Sequence, residues 1–490
     1  MNKIFIIIFF SLVATSCNKQ IDAIQPLTKV SAEGELSSLA GIIETTVGNY
    51  TLLASSGNFT PYDVPMLNIS VGRGNNVTLQ QFGPVSQETD AYFFQNSPSA
   101  AFGYSSNFYR GSFQVIVSAN TTLEGMQAFE TTSFASLSAG DKNNFLYAKG
   151  ENLFLRAFTY FNLIRIYGKP YYQNAAGSPG VPIKKSSSIN DNPAPSTVKE
   201  VYDFIIADLQ QAAQLMKAPV SKTNSFANTA AAWSLLSRVY LYMGGTTTSP
   251  DKTANTAAAV YADSVIDRSN GKYTLAMGQD YIKMLGDDEF GDLGKSSFAS
   301  NHEIIWAFDN ARGGSQMGQE FHYVNYYGSD VGATFLPSAS FKSLLAANDV
   351  RATFLKLNEA SGYTETTKWL CLNMAWKTYA PNIYFRLSEL YLNRAEASAK
   401  ADNFATAKAD LKKIHIRAGL PASDIDNLAD ADVLAAVLKE RRIELAFEGH
   451  DSYDYFRNGL PMTRTAADNN GQAMTIQPDD PKVVFPIPSF

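Results

Sequence analysis

Apolar positions recur at three- and four-residue steps through residues 383–456, the clearest pattern in the chain. Ile383, Leu387, Leu390, Arg394 and Ala397 fall on one helical face. The Ala401-Asp402-Asn403 turn follows, with Asp402 or Asn403 as a helix cap. A second helix carries Phe404, Ala407, Leu411 and Ile414 on one side, and Gly419 and Pro421 stop it. Small alanines facing Leu and Phe let the pair approach, and a short turn makes the two helices antiparallel neighbours. A third helix places Leu434, Leu438, Arg441 and Leu445 on one stripe.

The same plan returns upstream. Apolar and small residues alternate with turn signals over 228–245 and 256–275, and strong helical patterns cover 106–130, 150–168 and 198–216. Two shorter helices are expected at 34–47 and 49–56. Helix–turn–helix units at a spacing of about 34 residues are the mark of tetratricopeptide-type repeats. The expected fold class is mainly α, a tetratricopeptide-like helix-pair scaffold with long loop-rich insertions.

Two zones break the pattern. Residues 58–104 and 276–382 are rich in Gly, Asn, Ser and aromatics and weak in periodicity, apart from a short buried strand expected at 302–308. Long irregular segments within a compact chain are commonly functional. Aromatic faces stack on sugar rings or hold peptide side chains, and Asn, Arg and Asp bond to hydroxyls or backbone. The candidate ligand residues are Arg73, Asn75, Tyr92, Phe93 and Tyr104 in the first zone. Tyr323, Tyr326, Tyr327 and Asp330 are the candidates in the second, within 321–337. Plain loop packing is the competing role for each.

Charge changes the picture at one place. Arg441 sits on an apolar stripe, and a buried guanidinium is costly unless carboxylates meet it. Glu440, Glu444 and Glu448 follow at four-residue steps, and Glu389 and Glu396 line the facing helix. An internal ion-pair network is favoured over a catalytic carboxylate cluster, because such networks perturb charge without chemistry.

Lys3, the apolar run 4–13 and Ala14-Thr15-Ser16 before Cys17 have the layout of an export signal. A Cys directly after small residues points to lipidation at Cys17, with 1–17 as signal, 18–26 as tether and 27–490 as a single domain. Its two parts are about 27–275 and 276–490. Cys371 is then alone and is expected as a packed thiol. The net charge of −6 argues against a nucleic-acid surface.

Searches for reaction chemistry return little. His302-Glu303 lacks the second zinc-ligating His, since Trp306 stands there. Gly72-x-Gly74 lacks the third glycine of a dinucleotide loop. Gly313-Gly314-Ser315 has Met317 where a nucleophile elbow needs Gly. His450 beside Glu448 reads as structural, so no metal and no cofactor are expected. A glycoside hydrolase whose two acids meet only in space stays open as an alternative.

Several stretches carry a resemblance in order. They are the Cys17 start, "SNFYRGSFQVIVSANTTLEGM" (106–126), "RAFTYFNLIRIYGKPYY" (156–172), "IRAGLP" (416–421), "KERRIELAFEGHDSYDYFR" (439–457) and the closing "FPIPSF". Together they resemble the SusD/RagB family of Bacteroidetes outer-membrane nutrient-binding lipoproteins. The resemblance implies a helical scaffold with a loop-built binding face, lipid-anchored on the outer membrane and facing the exterior. It implies a TonB-dependent SusC-like transporter as partner, oligosaccharide as ligand, and no bond made or broken. Peptide is the alternative ligand.

Overall fold

The computed structural model describes residues 32–54, 63–80, 87–95, 104–269, 271–285, 301–308, 317–326, 329–369 and 382–488. Cys17, Cys371 and Tyr327 lie outside them.

Helices of six or more residues are labelled in chain order. They are α1 (Leu39–Thr51), α2 (Asp63–Gly72), α3 (Gln87–Tyr92), α4 (Tyr104–Thr132) and α5 (Ala139–Tyr167). Next come α6 (Val198–Leu215), α7 (Thr229–Met243), α8 (Lys252–Ile266) and α9 (Gly278–Leu285). The C-terminal set is α10 (Leu387–Lys400), α11 (Phe404–Arg417), α12 (Asp430–Glu444) and α13 (Asp451–Arg457). Side-chain caps start them where the sequence offers one. Ser138 accepts from the Asp141 N–H, Asn228 from Ala231 and Asn403 from Thr406. Thr197 and Glu200 form a reciprocal capping box on α6.

Consecutive helices pair as hairpins: α5 with α6, α7 with α8, α10 with α11, and α8 with α10 across the gap in sequence. Small residues permit the close approach. A Cβ on Gly150 of α5 would stand 2.7 Å from the Met216 side chain and 3.1 Å from the Ala212 carbonyl. Between α10, α11 and α12, Ala395, Ala399 and Ala407 pack with Leu411, Val433 and Val437. Every residue of α10 is buried, its charged ones included.

The largest core gathers on Trp306, which is fully buried. Phe154 and Phe158 meet its ring edge-on at 4.9 and 5.0 Å, and Tyr384 stacks at 4.4 Å. Burial of one such side chain contributes about 1.5–3 kcal/mol. Trp306 belongs to β4 (Ile304–Phe308), antiparallel to β10 (Asn382–Arg386). The apolar stripe from Ile383 therefore begins in a strand, and the helix starts only at Leu387. Both faces of this short ribbon are covered, and β-branched and aromatic residues satisfy a strand there.

Two other expectations shift. The two short helices near the start are one, α1, capped by Ser38 and closed by a tight turn at Leu52–Ala54. The zone 58–104 is less irregular than its composition suggests, since it contains α2, α3 and the strand β1 (Val77–Leu79). The other strands form two-stranded ribbons. They are β2 (Pro179–Pro182) with β3 (Pro195–Thr197), β5 (Val324–Tyr326) with β6 (Ser329–Val331), and β8 (Leu355–Asn358) with β9 (Tyr363–Thr366). Likewise β11 (Met462–Arg464) pairs with β12 (Met474–Ile476), and β1 pairs with β7 (Phe335–Pro337).

Candidate functional site

The irregular segments are rooted in the helical block by buried charge. Arg386, at the end of β10, donates to Glu448 (2.8 Å), Glu444 (2.5 Å) and Glu303 (3.1 Å). Arg417, closing α11, bonds Glu303 at 2.9 Å and also Glu444. Arg351 reaches Glu440 (2.6 Å), and Lys368, just past β9, reaches Glu448 (2.7 Å). Tyr281 of α9 donates to Glu444 at 3.0 Å. Burial alone would raise the Glu444 carboxyl, but Arg417, Arg386 and Arg351 together hold it well below the usual range. Glu389 and Glu396 pair with Arg238 and Arg457. Arg441 draws its partners from elsewhere than its own helix: Asp454 (2.6 Å), Asn393 (2.6 Å) and His450 (3.3 Å). The Glu440, Glu444 and Glu448 row serves Arg351, Arg386, Arg417 and Lys368 instead. His450 is pushed well below its ordinary value by burial, then by Arg238 and Arg441, so it stays neutral.

The two irregular zones meet. Strand β1 runs antiparallel to β7 with Val77 opposite Pro337 and Leu79 opposite Phe335. Asp451 closes the junction by accepting the N–H groups of Asn75 (2.8 Å) and Asn76 (3.0 Å). Gly74 is required there, because a Cβ would stand 2.1 Å from that carboxylate. Arg464 donates to the carbonyls of Gly72, Gly74 and Tyr92.

This junction redirects three of the candidate ligand residues. Arg73, Asn75 and Tyr92 are 3%, 6% and 0% exposed, so they are interior residues. Arg73 donates to the Val483 and Lys482 carbonyls. Asn75 donates to Tyr455 and the Thr463 carbonyl, and Tyr92 to the Asp468 carbonyl. Packed irregular backbone leaves carbonyls without a ladder, and these polar side chains satisfy them.

Phe93, next to Tyr92, is half-buried and lines a surface cleft of about 880 Å³. Tyr167, Lys169 and Gln173 line it too, and the C-terminal segment supplies Phe485 and Ile487. Arg73 builds this wall from behind, its guanidinium lying 4.4 Å from the ring centroids of both Phe94 and Phe485. The C-terminal wall was missed as a binding element. Its only sequence signal is the apolar, proline-broken closing run, which reads as packing.

The second zone presents the β5–β6 hairpin. Tyr323 is half-buried at its entry, its N–H bonded to Glu365 of β9 at 3.3 Å. Tyr326 sits opposite Ser329, and Asp330 opposite Asn325. Tyr104 opens α4. Among the described residues no group of three or more His, Cys, Asp and Glu could hold a metal, and no helix is long and apolar enough to cross a membrane.

Paired helices that carry a ligand-sized cleft on irregular segments define a class of scaffolded binding architecture. The chain belongs to the SusD/RagB family. Residues 360–489 match the model described as "SusD family", and residues 71–241 match "Starch-binding associating with outer membrane". A SusD superfamily protein from Bacteroides thetaiotaomicron is 26% identical, with a TM-score of 0.76 over 92% of this chain and 96% of that one. A putative sugar binding protein from Bacteroides vulgatus is 28% identical, with a TM-score of 0.75 over 92% and 95%. SusD-like protein P2 of Formosa agariphila is 33% identical over 143 residues, which cover 29% of this chain and 25% of that relative's length.

Proposed function

We propose that the protein is a non-enzymatic, surface-exposed nutrient-binding lipoprotein of the outer membrane. It captures oligosaccharides and delivers them to a TonB-dependent SusC-like transporter. One observation carries the ligand side: the cleft lies where the two family-matched stretches meet. Phe93, Tyr167 and Lys169 come from the stretch matching the starch-binding description, and Phe485 and Ile487 from the stretch matching the SusD family. A cleft of this size accepts a short oligomer, with Phe93 as a stacking face and Lys169 as a donor to hydroxyls. The Cys17 lipid supplies the anchor, and the transporter receives the cargo.

Purified protein titrated against a glycan panel and a peptide mixture tests this reading. Binding of at least one oligosaccharide, weakened by Phe93→Ala, supports it. Retained peptide binding with no glycan bound replaces the ligand class. Shortened products on incubation would overturn the non-enzymatic assignment. Mass spectrometry of the N-terminal fragment from membranes tests the Cys17 anchor, and an unmodified cysteine there would remove it.

A further inference from the structure

Behind the cleft wall lies a second, much smaller cavity of about 30 Å³. It has room for only one or two water-sized particles. Arg73, Arg165, Lys169 and Arg457 line it, with Tyr453 and Ser452, and no acidic side chain does. Arg457 is already neutralised by Glu396 and Asp454. Arg73 is not: its bonds go to the carbonyls of Val483 and Lys482, and Asp480 acts on it only at longer range, without an ion pair among the described residues.

This lining holds buried donors that are unspent. Arg73 Nε and the Tyr453 hydroxyl are shut off from solvent and have no hydrogen-bond partner. The residues are 3% and 8% exposed. Burial lowers the Arg73 guanidinium only to about 9, so it is charged at neutral pH. Burial pushes the Tyr453 phenol up to about 12 against the pull of Arg165 and Arg73, so it keeps its proton and can donate. The Arg165 guanidinium lies 4.4 Å from the Tyr453 ring centroid, which adds positive charge beside the same hydroxyl. A buried cation without a counter-charge is costly, and two unmet donors on residues that line one cavity add to that cost.

We propose that this cavity binds a small monovalent anion of the halide class, held by Arg73 Nε and the Tyr453 hydroxyl. The anion neutralises the cation that braces Phe94 and Phe485, so it clamps the C-terminal wall of the cleft from behind. A water molecule would satisfy the donors but not the charge.

Crystals of the full folded chain grown in bromide give a direct reading. An anomalous peak beside Arg73 Nε and the Tyr453 hydroxyl is expected, and a water-strength feature with no anomalous signal overturns the proposal. In solution, thermal unfolding is followed in sodium chloride and in sodium gluconate at equal ionic strength. The chloride series is expected to raise Tm with a saturable midpoint that the bulky gluconate lacks. Tyr453→Phe, which keeps the ring, is expected to move that midpoint severalfold higher. Identical Tm values in both salts for the native chain would refute the site.

Discussion

Two buried arginines show how differently the helical block and the loop junction are held. Arg386 and Arg464 are both essentially inaccessible, at 2% and 0% exposure. Arg386 meets three carboxylates, from Glu303, Glu444 and Glu448. Arg464 meets none: it bonds backbone carbonyls and lies 3.6 Å from the Tyr92 ring centroid. Electrostatics follows. Burial opposes the charge on both, yet Glu448 and Glu444 lift Arg386 well above its ordinary value, while Arg464 falls to about 10. In the block, carboxylates at the end of α12, in the turn after it and just before β4 meet the cation at the end of β10, and side chains pairing with side chains fix how these elements dock. In the junction the backbone is irregular, and arginine replaces the missing ladder of donors.

The largest effect on this contrast comes from breaking the carboxylate side. Arg386→Met strands Glu303, Glu444 and Glu448 without one of their cations and is expected to cost about 3–5 kcal/mol, read from urea unfolding. Arg464→Met leaves the Gly72, Gly74 and Tyr92 carbonyls short of donors, at about 1–3 kcal/mol. Hydrogen exchange should show the opening confined to residues near 72–92, whereas Arg386→Met opens the whole block. Equal, global opening in both variants would erase the distinction.

Acid sharpens it further. The Glu444 carboxyl is depressed below the ordinary 4.5, so its contribution is complete above that value and is lost as pH falls through the depressed one. Urea midpoints measured from pH 5 to pH 2 should fall steeply for the native chain and less steeply for Glu444→Gln. An unchanged slope would mean that the pairing is already present in the unfolded chain. The smallest effect on stability belongs to the surface. Phe93→Ala should lower the urea midpoint less than either arginine change, since the ring is only half-buried, while weakening oligosaccharide binding by roughly 0.5–1.5 kcal/mol in calorimetry.

The same contrast explains what could be read from the chain. The helices around Leu153–Ile164, Val198–Met216 and Phe404–Ile414 were legible because their apolar period is set by local geometry. The strand at Ile383 was not, since an apolar run that short fits either element until β4 is there to pair with it. Arg441 announced a buried charge, but its partners Asn393 and Asp454 sit on two other helices, and no spacing reveals them. At the candidate site the confusion was between polar residues that face a ligand and polar residues that serve backbone. Arg73, Asn75 and Tyr92 have the composition of the first and the placement of the second. Phe93 follows Tyr92 directly, and only the turn ending α3 separates an interior ring from one on the cleft.

The Asp451 clasp also sets an order of events. Its carboxylate waits for N–H groups at Asn75 and Asn76 that precede it by 376 and 375 residues. Helical hairpins need only near neighbours and can close early, whereas contacts this remote in sequence form slowly and late. Refolding followed at Tyr92 should therefore lag formation of the helical hairpins followed by circular dichroism.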